Sequence, residues 1–248
     1  MNRLFKLLAL GALVLLSSCA TTKPGGELGT PKKESPGDLY VRIAAEYYRL
    51  GEIEAALQNA QKALEEDSEN AQAHNVLATI YHRLEQNKLA EEHFRTALRL
   101  APKDAYTLTA WGNFLCDQHK PAEAKTQYEQ ALKNPLYQAT WITLTSAGSC
   151  AHRSGNATEA VQWLRRALTA NPRYPPALLE MADLEYSQGR YKAARSYLNR
   201  FFQVAGPTPK ALLLGSRIER KLGARRKARK YEKQLRNRFP NAPETLEL

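Results

Sequence analysis

An alanine returns through this chain at a fixed interval. It stands at Ala56, Ala90, Ala124, Ala160, Ala194 and Ala228, with spacings of 34, 34, 36, 34 and 34 residues. A period of that length means that one supersecondary unit is copied and stacked, because a single copy cannot bury all of its apolar surface. The copy from Ala71 to Asp104 shows what the unit is. Leu77, Ala78 and Tyr81 mark one apolar stripe and Ala90, Phe94 and Ala97 a second, each at the spacing of a helix face. Pro102 closes the second stripe, since proline cannot sit inside a helix. The predicted unit is therefore a hairpin of two helices.

Counted with Ala71 as position 1, the other copies keep the same marks. Position 8 is small throughout, as Ala44, Ala78, Gly112, Gly148, Ala182 and Ser216, where paired helices come closest. Position 27 is Ala63, Ala97, Ala131 and Ala167, then Phe201 and Leu235. Gly51, Gly155, Gly189 and Gly223 fall at position 15, where a left-handed residue ends a helix. Pro102, Pro172 and Pro240 stand at position 32, with Pro135 one place early. Over residues 37–242 the chain thus resembles the tetratricopeptide-repeat family, with repeats at 37–70, 71–104, 105–138, 141–174, 175–208 and 209–242 and with Ala139 and Thr140 inserted. The resemblance implies an all-α, right-handed solenoid of six helix hairpins, the first helices lining a concave groove. It also implies a binding scaffold and no cofactor.

The chain opens on Arg3 and Lys6, then an apolar run from Leu7 to Leu16, then Ser17, Ser18 and Cys19. A basic start and a short apolar core read as a secretory signal over residues 1–18. The cleavage residues resemble a bacterial lipobox, and in that family the cysteine matching Cys19 is acylated. Ala20 stands where inner-membrane lipoproteins carry Asp, which implies the outer membrane. Residues 19–36 are rich in Thr, Pro, Gly and Lys and read as a tether, and 243–248 as a tail. Net charge is +11, yet residues 209–242 hold twelve Lys and Arg against Glu219 and Glu232. The basicity of the exported chain is a property of its last repeat. That repeat reads either as a solvated terminal helix or as a patch for anionic lipid or an acidic partner. Nucleic acid is set aside because the signal directs the chain out of the cytoplasm.

With Cys19 assigned to lipid, Cys116 and Cys150 remain, on neighbouring first helices in an oxidising compartment. A disulfide between them is the preferred reading. A zinc site adding His119 and His152 and a pair of buried thiols are the alternatives. Neither HExxH, GxSxG nor a phosphate-binding glycine loop occurs. No catalytic residue is assigned and no enzyme activity expected.

By the repeat resemblance, positions 2, 5, 9, 12 and 13 of each first helix face the groove. The candidate partner-binding residues are Val41, Tyr48 and Arg49, then Asn75, Thr79, His82 and Arg83, then Tyr106 and Asn113. Aromatics mixed with amides and hydroxyls suit an extended or helical peptide. Lipobox, six repeats and the cysteine pair together resemble the pilotin lipoproteins of type IV pilus biogenesis. That resemblance implies an outer-membrane secretin as partner and a role in its localisation and multimerisation, hence in pilus assembly and twitching motility. Lipoprotein adaptors that recruit peptidoglycan hydrolases, or outer-membrane assembly factors, are the alternative.

Overall fold

The computed structural model describes residues 35–248, which form one compact unit. The expected signal peptide, the lipidation site Cys19 and the tether up to residue 34 lie outside the described residues. Among the described residues there are thirteen α-helices and no strand. The first three hairpins are α1 (Pro36–Leu50) with α2 (Ile53–Glu66), α3 (Ala71–Arg83) with α4 (Asn87–Leu100), and α5 (Ala105–Asp117) with α6 (Pro121–Ala131). The next three are α7 (Thr140–Arg153) with α8 (Ala157–Ala170), α9 (Pro175–Ser187) with α10 (Tyr191–Val204), and α11 (Pro209–Lys221) with α12 (Arg225–Arg238). A single turn, α13 (Pro243–Leu246), follows.

Each hairpin closes on its small residues. The marker alanines from Ala56 to Ala194 have no exposed surface and Ala228 almost none. Position 8 meets position 24 of the same repeat at Gly112 with Tyr128 and Gly148 with Leu164, and the equivalent residues Ala44 and Ala60, Ala78 and Phe94, and Ala182 and Leu198 are all buried. A Cβ on Gly112 would lie 2.5 Å from Tyr128 Cε1, and one on Gly148 would lie 2.6 Å from Leu164 Cγ. In the last repeat the same pair is polar, with Ser216 Oγ donating to Glu232 Oε1 at 2.6 Å.

Turns and caps follow the period. Position 15 is left-handed in all six repeats, at Gly51, Gly155, Gly189 and Gly223 and also at Glu85 and His119, each with φ 59°. The last residue of one repeat caps the next first helix where it can: Asn70 accepts from Ala73 N, Asp104 from Thr107 N and Thr208 from Ala211 N.

First helices pack on one another along the array (α1 with α3, α3 with α5, and on to α11), whereas second helices pack on their own hairpin and the next first helix and meet one another only through side chains such as Lys125 with Glu159 and Phe202 with Tyr231. The first helices are therefore the crowded inner wall and the second helices the splayed outer one.

Two boundaries differ from expectation, and the third hairpin is irregular. Ser35 and Asp38 form a capping box around Pro36, so the last two residues assigned to the tether start α1. α6 stops after 11 residues, and Tyr137 in the following segment is buried against Ala105, Leu108 and Ala131. The expected tail packs: Leu248 joins Leu212, Leu213 and Leu235, and Glu247 pairs with Arg217. No described helix is long and apolar enough to cross a membrane.

Candidate functional site: the groove of the first four repeats

The inner wall of repeats one to four encloses a hollow of about 420 Å³ lined by Tyr48, Thr79, His82 and Asn113, four of the residues expected there. Phe94 and Ala110 add an apolar floor, and Asp117, Ser146, Ser149 and Arg153 complete the rim. Three of these side chains have fixed partners within the fold. Tyr128 is fully buried and its hydroxyl donates to Asn113 Oδ1 at 2.9 Å. Burial raises the Tyr128 phenol well above its ordinary range, so it stays protonated and fixes the Asn113 amide. Thr79 Oγ1 donates to the carbonyl of Asn75 at 2.9 Å. His82 stands edge-on to Phe114 with centroids 5.2 Å apart.

Asp117 ties three helices together. It lies 3.1 Å from His82 Nε2 on α3 and 2.5 Å from Arg153 Nη1 on α7. Arg153 also donates to Cys116 Sγ at 3.2 Å. Cys116 and Cys150 are bonded to each other, with Cα atoms 5.9 Å apart, and cross-link α5 to α7 directly beneath this rim. Both sulfurs are consumed by that bond, so neither is a thiolate for zinc. His119 is the left-handed turn residue of its repeat, and His152 Nε2 lies 3.2 Å from Ser187 Oγ. No group of three or more His, Cys, Asp or Glu able to hold a metal occurs among the described residues.

The other expected residues are dispersed. Val41 is a correction: it is 6% exposed and packs against Ala63 and Ala73 in the core. Position 5 is the seam between consecutive first helices, where Thr109, Thr145 and Leu213 are buried as well. Asn75 shares that seam and is half-buried; its Oδ1 is buried without a hydrogen-bond partner among the described residues. Arg49 pairs along its own helix with Glu46 at 2.5 Å and lies off the hollow. Arg83 stacks over Tyr48 at 5.5 Å and so borders it. Tyr106 is exposed and packs edge-on against Tyr137.

Ser146, Ser149 and Arg153 were missed, although positions 9 and 13 of the fourth repeat carry the same signal as those of the first three. A second missed feature is the free end of the array. Among the described residues no repeat stands before α1, and Leu39, Tyr47 and Leu50 are exposed beside Ile43.

The arrangement offers fixed amide and hydroxyl groups, one carboxylate shared between an imidazole and a guanidinium, and an aromatic floor. It can hold a polypeptide segment by its backbone and a few apolar side chains. The tetratricopeptide-repeat family matches residues 41–105 and 109–175, and a second family description of the same repeat matches 151–205. The chain is 31% identical over 242 residues to the type IV pilus assembly protein PilF of Pseudomonas aeruginosa, covering 97% of this chain and 94% of that one. The crystal structure of PilW, described as a widely conserved type IV pilus biogenesis factor, superposes with a TM-score of 0.74 at 32% identity, over 85% of this chain and 97% of that one. The structure of Pseudomonas aeruginosa PilF superposes with a TM-score of 0.69 at 31% identity, over 85% and 95% of the two chains.

Proposed function

As a member of the tetratricopeptide-repeat family, and within it of the PilF and PilW type of type IV pilus biogenesis factor, the chain is one that we propose to be a non-catalytic pilotin, an outer-membrane lipoprotein that carries secretin subunits. The observation that supports this reading best is the pre-formed groove of repeats one to four, where the buried Tyr128 holds Asn113 and Asp117 pairs with His82 and Arg153. A segment ordered against such a wall loses its own freedom while the wall loses little, which favours capture of an extended chain.

In this reading Cys19 carries the lipid, the groove takes a segment of the secretin, and the exposed Leu39, Tyr47 and Leu50 on α1 continue the apolar contact past the first repeat. Delivery of subunits to one membrane raises their local concentration and drives ring assembly. The Cys116–Cys150 bond fits a protein matured in an oxidising compartment.

The test uses the intact lipoprotein, its Cys19→Ala form and an Asp117→Ala/Asn113→Ala form as baits in solubilised outer membrane. Recovery of a secretin with the intact chain, mislocalised rings with Cys19→Ala, and loss of capture with the groove variant are expected. Capture of peptidoglycan hydrolases or outer-membrane assembly proteins without a secretin would overturn the reading.

A further inference from the structure

The outer wall of the last two repeats holds a second hollow, unrelated to the groove. Between α10 and α12 lies a cleft of about 850 Å³, roughly twice the volume of the groove hollow. Arg195 reaches it from α10, and Lys227, Lys230 and Arg238 from α12. Asn199 and Gln234 set amides between these cations, and the rings of Phe202 and Tyr231 stack 5.8 Å apart to form an apolar wall. Glu219 also borders the cleft. It is buried and lies 3.7 Å from Arg195 Nη1, so it offsets part of the positive charge; among the described residues its Oε2 has no hydrogen-bond partner, and Lys227, Lys230 and Arg238 form no ion pair.

The charge of α12 is not that of an ordinary solvated helix. It carries eight Lys and Arg and a single acid, Glu232. Glu232 is turned inward, bound by Ser216 at 2.6 Å and by Arg220 at 2.7 Å. Among the described residues none of the eight α12 cations forms an ion pair, whereas Arg95 and Lys125 on other second helices do. A terminal helix needs polarity for solubility, and mixed charges would supply it without self-repulsion. One sign only, converging on a cleft, raises the local potential and selects anions.

The donors approach from two helices around one volume. A carboxylate presents two oxygens in a plane, whereas a phosphate presents oxygens radiating in several directions, so the arrangement matches phosphate better. We propose that the α10–α12 cleft binds a phosphate ester, its phosphate held by Arg195, Lys227, Lys230 and Arg238 and its ester body laid against Phe202 and Tyr231. The headgroup of an anionic phospholipid and a small soluble ester such as glycerol phosphate share this chemistry.

The experiment uses residues 35–248, the unit that contains all of the described packing. Its binding is measured to phosphatidylglycerol-containing vesicles, to phosphatidylcholine vesicles and to glycerol phosphate, alongside Lys227→Glu/Lys230→Glu and the charge-matched Arg225→Glu/Arg229→Glu, which lies off the cleft. Binding to the anionic vesicles or to glycerol phosphate is expected, weakening roughly tenfold or more in the cleft variant and much less in the matched one. Saturable binding of glycerol phosphate that competes with vesicles assigns the source to soluble esters; binding to vesicles alone assigns it to lipid. Equal weakening in both variants would show diffuse charge and overturn the site, as would the absence of binding to both the anionic vesicles and glycerol phosphate.

Discussion

Placing a methyl group on Gly112 should destabilise the third hairpin and disturb the groove. The new Cβ would stand 2.5, 2.9 and 3.0 Å from three ring atoms of Tyr128. That ring is 1% exposed and cannot swing outward without breaking the hydrogen bond that fixes Asn113. Overpacking of this kind costs about 1–3 kcal/mol and the hydrogen bond about 1 kcal/mol, while alanine in place of glycine inside α5 returns about 1 kcal/mol. The net expectation for Gly112→Ala is a loss of about 1–3 kcal/mol, a fall of several degrees in melting temperature for a unit of this size.

A competing outcome has a physical basis in the same molecule, because Ala78 and Phe94 coexist at the equivalent positions of the second repeat. If the third hairpin can open to that spacing cheaply, Gly112→Ala will be neutral or stabilising. Circular dichroism melts of Gly112→Ala, Tyr128→Ala and the double variant separate the two. The double variant copies the Ala44–Ala60 pair of the first repeat, so Gly112→Ala should become harmless in the Tyr128→Ala background. A single variant as stable as the parent, with no coupling in the cycle, would refute the close-approach argument.

Removing the cross-link with Cys116→Ala/Cys150→Ala, which opens a loop of sequence separation 34, should cost about 4 kcal/mol by urea unfolding, and a cost near zero would show that repeat packing alone holds the junction. Glu85→Gly and His119→Gly should each stabilise by about 0.5–1 kcal/mol, since both residues occupy the left-handed region that glycine fills in the other four repeats; a loss would mean that their side chains matter more than their backbone. His93 is held below its ordinary pKa of 6.5, first by burial and then by His74, whose Nδ1 lies 2.9 Å from His93 Nδ1, with Glu92 opposing. The unfolded chain then binds the proton more tightly, so stability is full above about pH 6.5 and falls as the pH drops below it; the urea midpoint should show this decline, and His93→Gln should flatten it. An unchanged slope in His93→Gln would assign the decline to other groups.

The period was legible because close helix approach tolerates only small side chains, and positions 8 and 20 are where that constraint is absolute. Gly112 and Gly148 announce it most plainly, facing Tyr128 and Leu164. Position 5 was misread at Val41 because a valine on the first helix looks the same whether it faces a groove or the next helix; only the angle between hairpins decides, and that angle buries it against Ala63 and Ala73. Arg153 escaped notice since its meaning depends on Asp117, 36 residues earlier on another helix. His119 looked like a ligand beside two cysteines, yet its backbone conformation assigns it to a turn. The eight cations of α12 were plain as a charge run, but the cleft they share with α10 arises from second helices splaying apart, which no local pattern encodes.

The bond between Cys116 and Cys150 also sets how this protein would respond to being pulled. A stack of hairpins held only by neighbour contacts peels open one unit at a time, and each hairpin that opens lengthens the molecule. Here the covalent link bridges the turn after α5, α6, the irregular segment around Tyr137 and most of α7 in a single short step. The 34-residue span it closes would otherwise pay out roughly 110–120 Å of slack when extended. Tension travelling along the chain is carried across the sulfurs instead, so the third hairpin is shielded and the array yields from its two ends.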